Sequence, residues 1–116
     1  MKFKLIIVLV NDDQTESIVT AARENGATGC TVLTNARGEG LKKAKTFLGL
    51  DLSGARDMIL TLVEEHMSRT ILETIAEVGA FEEKPGTGIA FMLDIEDAVG
   101  LSSQIGTISS EYKDEL

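Results

Sequence analysis

Residues 84–91 separate a helical pattern from a strand pattern, and they read Lys84-Pro85-Gly86-Thr87-Gly88-Ile89-Ala90-Phe91. The stretch holds the only proline of the chain and two of its eleven glycines. A turn with few side chains can bring backbone N–H groups against a bound anion. It can equally be an ordinary connection, because single Gly-x-Gly patterns are common. The local sequence leaves both interpretations open.

Apolar residues on either side of this turn follow two different periods. After it, they alternate through residue 95, which predicts a strand. Before it, they recur at helical spacing, which predicts a helix that ends at Gly79. These helical positions are Met67, Ile71, Leu72, Ile75 and Ala76.

Three further strands and one further helix are predicted upstream. Residues 3–10 and 57–63 form nearly continuous apolar runs, which is typical of strands buried on both faces. Residues 13–16 have the form of a capping box, and Gly26 would end the helix that follows as a left-handed cap. A shorter strand is expected at residues 30–34.

The order of these elements predicts an α+β, ferredoxin-like βαββαβ fold with a long loop between the second and third strands. Right-handed crossovers place both helices on one face of a four-stranded sheet. The other face would then expose a large apolar patch, which monomers avoid. We therefore expect that face to be buried in a closed homo-oligomer.

Charge is distributed unevenly along this chain of 116 residues, which has the length of one domain. The net charge of −8 argues against general nucleic-acid binding. The loop at residues 35–56 is nevertheless basic, with Arg37, Lys42, Lys43, Lys45 and Arg56 against Glu39 and Asp51. Loops of this length are usually functional. A site for an anion or an acidic partner is one interpretation, and a solvated loop is the other.

Single cysteine and histidine residues limit the chemistry that the chain can perform. Cys30 has no disulfide partner, which fits a reducing, cytoplasmic location, and His66 alone makes a metal site unexpected. We expect no secretory leader, because the apolar run at the start is short and lacks a cleavage signal. We also expect no insertion into a membrane, because no apolar run is long enough.

Four motifs together resemble the PII signal-transduction proteins and their PII-like relatives. Residues 26–32 resemble the Gly-x-Thr-Gly-x-Thr-Val entry to the family's second strand, and residues 37–40 resemble the start of its long T-loop. Residues 68–75 match the pattern of its second helix. Residues 86–91 resemble the Gly-x-Gly-Lys-Ile-Phe of its B-loop.

The resemblance implies a trimer that regulates nitrogen metabolism or a related process and has an effector site in each cleft between subunits. An adenine nucleotide (ATP, ADP or AMP) is the implied effector, and a membrane transporter or a metabolic enzyme is the implied target of the T-loop. By carry-over, the cleft residues are Thr31, Gly38, Gly40, Gly86, Thr87 and Gly88. The partner-binding residues would be Lys42, Lys43, Lys45, Phe47 and Leu48. The PII-like domain would span residues 1–101, with the T-loop at 35–56 and a polar tail at 102–116.

Two departures from the family pattern lower the expected affinity for ATP. Ile89 stands where the B-loop has its phosphate-binding lysine, and residues 101–104 replace a basic Arg-x-Arg tail. Lys84 or the loop lysines Lys42 and Lys43 can compensate for these losses only in part. The T-loop also lacks the tyrosine that the family modifies, since the only tyrosine is Tyr112.

Two alternatives compete with a nucleotide-binding regulator. One is a metal-binding or structural trimer of related fold, which would need clustered ligands in the cleft. The other is a small enzyme, which the sequence disfavours because no activated nucleophile is suggested. Asp94, Glu96 and Asp97 are better explained as a solvated helix start than as paired catalytic carboxylates.

Overall fold

The computed structural model describes residues 2–36 and 56–100 in full, and residues 46–47 and 50–51 as backbone. The elements are β1 (Phe3–Asn11), α1 (Thr15–Glu24), β2 (Thr31–Leu33), β3 (Thr46–Phe47), β4 (Leu50–Asp51), β5 (Arg56–Glu64), α2 (Glu65–Val78) and β6 (Gly88–Asp94). One turn of 3-10 helix, Asp12–Gln14, joins β1 to α1. Neither described helix is long and apolar enough to span a membrane.

The main sheet has four strands in the order β2-β5-β1-β6. Every neighbouring pair is antiparallel. This arrangement confirms the predicted ferredoxin-like fold. Within the loop at 35–56, β3 and β4 pair antiparallel, with Phe47 opposite Leu50. The sequence showed no strand period there, because two residues per strand are too few to produce one.

The core lies between the two helices and one face of the sheet. Alternate side chains of β1 and β5 point into it and meet Ile18 of α1 and Ile71 and Ile75 of α2. The strand residues of this core are Ile6, Val8, Val10, Ile59 and Val63. Both helices therefore cover the same face, as right-handed crossovers require.

The opposite face of the sheet, here called the open face, carries three rows of three apolar side chains from β5, β1 and β6, and Leu33 of β2 extends the row of Met58. The cross-strand pairs put Leu5 between Leu62 and Leu93, Ile7 between Leu60 and Phe91, and Leu9 between Met58 and Ile89. Eight of these side chains are half-buried, and Leu93 and Leu33 are exposed. No described helix lies over this face, so the predicted burial of both sheet faces is incomplete within one chain.

The structure confirms the predicted end of α1 but not its predicted start. Gly26 has a φ of 111°, and Ala27 N–H donates to Ala22 O at 3.0 Å, which confirms the left-handed cap. The predicted capping box at residues 13–16 is wrong, because no side chain caps the start of the helix. Asp13 already lies inside the 3-10 turn, where its carboxylate is not in the N-cap position.

Candidate functional site

The turn at residues 84–88, here called the Pro-Gly turn, follows a tightly closed end of α2. Phe81 N–H donates to Ala76 O at 3.0 Å, and Ala80 N–H donates to Glu77 O at 3.1 Å. α2 ends at Val78 with Gly79 as its C-cap, which confirms the predicted end of the helix, and the left-handed residue that follows is Ala80, with a φ of 54°. Glycine is usual at such a position, so an alanine there is uncommon.

Thr87 stabilises the Pro-Gly turn from within. Its hydroxyl donates to Lys84 O at 2.8 Å, and its backbone N–H donates to the same oxygen at 3.3 Å. Lys84 N–H donates in turn to Ala80 O at 2.9 Å. Both donors of Thr87 are therefore engaged in holding the turn, which leaves its hydroxyl oxygen as an acceptor.

The two glycines of the turn have structural roles of their own. Gly86 has a φ of 85°, a region that side chains disfavour. Gly88 pairs with Val10 and passes close to its neighbours. A Cβ there would lie 2.4 Å from Phe81 Cε1 and 2.9 Å from Leu9 O. Both glycines are therefore required by the backbone and packing of the turn itself, whether or not a ligand binds there.

Thr31 lies beside a cavity of about 350 Å³ at the β2 edge of the sheet. The lining residues are Phe3, Thr28, Gly29, Cys30, Thr31, Leu60 and Leu62. Burial raises the pKa of the Cys30 thiol, while a hydrogen bond with Thr61 and the charge of Arg23 act in the opposite direction. Cys30 is half-buried against the core, close to the predicted role of a small buried hydrophobe.

Thr31 and Gly88 lie at opposite edges of one sheet. Thr31 is in β2 and Gly88 is in β6, and β5 and β1 lie between these strands. Three strand spacings separate the edges by about 14 Å. The structure brings Gly86, Thr87 and Gly88 together but does not bring Thr31 to them. A cleft that contained both Thr31 and the Pro-Gly turn would therefore draw them from two chains.

The base of the long loop lies at the same end of the sheet as the Pro-Gly turn. Ala36 N–H donates to Arg56 O at 2.9 Å, and Arg56 pairs with Asn11 of β1. The residue before Asn11, Val10, pairs with Gly88. Arg56 is only 5% exposed, so this cation of the basic segment is not on the surface. The predicted residues Gly38, Gly40, Lys42, Lys43, Lys45 and Leu48 lie outside the described residues, and Phe47 is described as backbone only.

Ile89, which departs from the family B-loop, belongs to the open face. It pairs with Leu9 and is half-buried. Its side chain therefore extends the apolar row of Leu9. In the family pattern, a phosphate-binding lysine occupies this position.

Other chemistry-bearing groups lie away from the Pro-Gly turn. Asp94 forms a 3.1 Å ion pair with Lys4, and Asp97 accepts a hydrogen bond from Ala98 N–H at 2.8 Å. His66 Nδ1 lies 3.0 Å from Glu64 Oε1. Within residues 2–36 and 56–100, no three side chains of His, Cys, Asp or Glu are grouped as metal ligands.

Sequence reasoning missed Phe81, whose ring packs against both Gly79 and Gly88. A Cβ built at Gly79 would lie 2.2 Å from Phe81 Cε1. An aromatic residue between two glycines was the available signal, but nothing in the pattern showed that both glycines touch one ring.

Comparison with known proteins identifies the family of this chain. The sequence model of the family named nitrogen regulatory protein P-II matches residues 3–104. CPII from Thiomonas intermedia K12, solved with ADP, AMP and acetate, is 22% identical, with a TM-score of 0.64 over 86% of this chain and 92% of that chain. Its apo form, described as a nitrogen regulatory PII-like protein, is 20% identical, with a TM-score of 0.62 over 82% and 90%.

A PII-like signalling protein from Thermus thermophilus is 23% identical, with a TM-score of 0.60 over 82% of this chain and 88% of that chain. No curated protein matches significantly. At these identities the solved structures support the fold, whereas the family model matches the sequence itself along most of its length. The chain therefore belongs to the family of nitrogen regulatory protein P-II.

Proposed function

We propose that this protein is a PII-like regulator that binds an adenine nucleotide in clefts between the subunits of a homotrimer. The observation that carries the proposal is the position of Thr31 and Gly88 at opposite sheet edges. Neighbouring copies can bring these edges together, so that the Pro-Gly turn of one subunit and Thr31 of the next line one cleft. ADP and AMP are bound in the similar CPII structure, which supports the choice of ligand. In the P-II family, members are regulators rather than enzymes, and no turnover is proposed here.

The open face supports the homotrimer. Its three rows of apolar side chains form a surface that a lone chain would leave in water. Three copies in a closed ring bury it on every subunit.

Two residues with equal exposure allow the assembly to be tested. Leu93 on the open face and Val78 on α2 are each 46% exposed. We expect Leu93→Asp to yield monomers by sedimentation velocity, while Val78→Asp leaves the trimer intact. A wild-type chain that sediments as a monomer at all concentrations contradicts the trimer.

Titration calorimetry with AMP, ADP and ATP tests the effector. Because Ile89 and residues 101–104 supply no cation, we expect ATP to bind no tighter than ADP. Each lost charge-assisted hydrogen bond is worth about 1.5–3 kcal/mol. Failure of all three to bind below about 1 mM contradicts the effector assignment and favours a trimer without nucleotide.

The loop at residues 35–56 is proposed to contact the regulated partner, a membrane transporter or a metabolic enzyme in the cytoplasm. Its cations Lys42, Lys43 and Lys45 would meet an acidic surface, while Phe47 and Leu48 supply apolar contacts. Affinity capture with the full chain should recover such a partner. The double variant Lys42→Glu/Lys43→Glu should lose it, while Lys2→Glu, which changes a cation outside the loop, should retain it.

A further inference from the structure

Phe81 connects the end of α2 to the start of β6 through its ring. Cβ atoms built at Gly79 and Gly88 would lie 2.2 and 2.4 Å from the same ring atom, Cε1. Phe81 is also half-buried against the core. The ring therefore fills the space between the two points at which the chain leaves α2 and enters β6.

The Pro-Gly turn is a preformed unit that is attached to the body of the protein at few points. Thr87 and Lys84 bond to each other within the turn. The described bonds from the turn to the end of α2 run to one atom, Ala80 O, which accepts from Lys84 N–H at 2.9 Å and from the Thr87 hydroxyl at 3.4 Å. Gly88 is also held by its pairing with Val10 of β1, and its packing against the Phe81 ring sets its distance from α2.

On the basis of the proposed function, we propose that Phe81 is a positioning residue of the effector site. Its ring fixes where the backbone of residues 86–88 stands relative to the rest of the subunit. Backbone donors must be held within about 0.5 Å of their productive position to bind a ligand well. Loss of the ring lets the turn settle toward α2, so the backbone of Gly86 and the start of β6 are misplaced although no ligand-facing group has been removed.

The experiment compares Phe81→Leu and Phe81→Ala with Leu72→Ala. Leu72 is half-buried against the same core from the middle of α2, away from the turn, so it controls for lost packing. Three quantities are measured in each folded variant: the free energy of unfolding, ADP affinity by calorimetry, and hydrogen exchange of residues 84–88 without ligand. Circular dichroism identifies the temperature range in which every variant is folded.

We expect both Phe81 variants to speed amide exchange in the Pro-Gly turn and to weaken ADP binding by at least about tenfold, as the loss of one hydrogen bond would. Phe81→Leu should fall between wild type and Phe81→Ala. Leu72→Ala should lose stability without either change. Equal effects of Leu72→Ala and Phe81→Leu on exchange and affinity overturn the proposal.

The positioning role and the nucleotide assignment fail in different ways. If the wild-type protein binds none of AMP, ADP and ATP, the proposed effector is wrong, and the exchange rates of residues 84–88 alone decide the role of Phe81. If the wild type binds ADP and the Phe81 variants bind it equally well with unchanged exchange, the positioning role is wrong and the effector assignment stands.

Discussion

The Thr15 hydroxyl donates a 2.6 Å hydrogen bond to the Asp57 carboxylate. Thr15 is the first residue of α1, and Asp57 is the second residue of β5, immediately after the loop at 35–56 returns to the sheet. Asp57 is only 7% exposed, so few other partners can reach its carboxylate. This bond ties the base of the loop to the helical layer.

Removal of the Thr15 hydroxyl should destabilise the fold. Thr15→Val keeps the shape of the side chain and leaves a buried carboxylate without this donor. We expect a loss of about 1–3 kcal/mol in the free energy of unfolding, measured by urea denaturation at fixed protein concentration. The control is Thr20→Val, at an exposed position of the same helix, which should change stability little. Equal losses in the two variants would show that the bond contributes nothing.

Glycine in place of Ala80 should stabilise the protein. Ala80 has a φ of 54°, and a side chain in this region destabilises the folded state by about 1–2 kcal/mol. The greater freedom of glycine in the unfolded chain lowers stability by about 0.4–1 kcal/mol, which offsets part of the gain. We therefore expect Ala80→Gly to raise the free energy of unfolding by about 0.5–1 kcal/mol. The same change at Ala76, inside α2, should lower it by about 1 kcal/mol. Thermal or urea unfolding that gives both variants the same sign contradicts the left-handed assignment.

The pattern of the sequence was sufficient for the topology but not for these contacts. The continuous apolar runs at residues 3–10 and 57–63 and the glycine after α1 are local signals, which a single sequence displays. The bond from Thr15 to Asp57 joins residues 42 positions apart and leaves no local signal. Phe81 is similar, because its contact with Gly88 depends on how β6 returns beside β1. The separation of Thr31 from Gly88 by two intervening strands follows from the strand order, which no local period shows.

The Cys30 thiol should titrate above its usual range. Burial disfavours the thiolate and raises the pKa, so at a given pH less thiolate is present in the folded chain than in the unfolded one. Alkylation by iodoacetamide, followed by mass spectrometry from about pH 7 to pH 10, should therefore have a higher midpoint in native protein than in urea. The midpoint reports the pKa, whereas the absolute rate also depends on access. Identical midpoints would contradict the effect of burial. If nucleotide occupies the cavity beside Thr31, saturating ADP should slow the native reaction.

Restoration of the lysine at position 89 tests why this chain should hold ATP weakly. In Ile89→Lys, the ammonium group can reach from the start of β6 toward a ligand at the Pro-Gly turn, and one charge-assisted hydrogen bond is worth about 1.5–3 kcal/mol. We expect ATP affinity measured by calorimetry to rise about tenfold or more relative to AMP. The same change removes an apolar side chain from the row that contains Leu9, so it should weaken the proposed trimer. In sedimentation experiments the variant should begin to dissociate at a higher protein concentration than the wild type does. Thr20→Lys adds an equal charge on the exposed surface of α1 and should do neither. An equal gain in ATP affinity from Thr20→Lys would mean that overall charge, and not the position of residue 89, limits the binding of ATP.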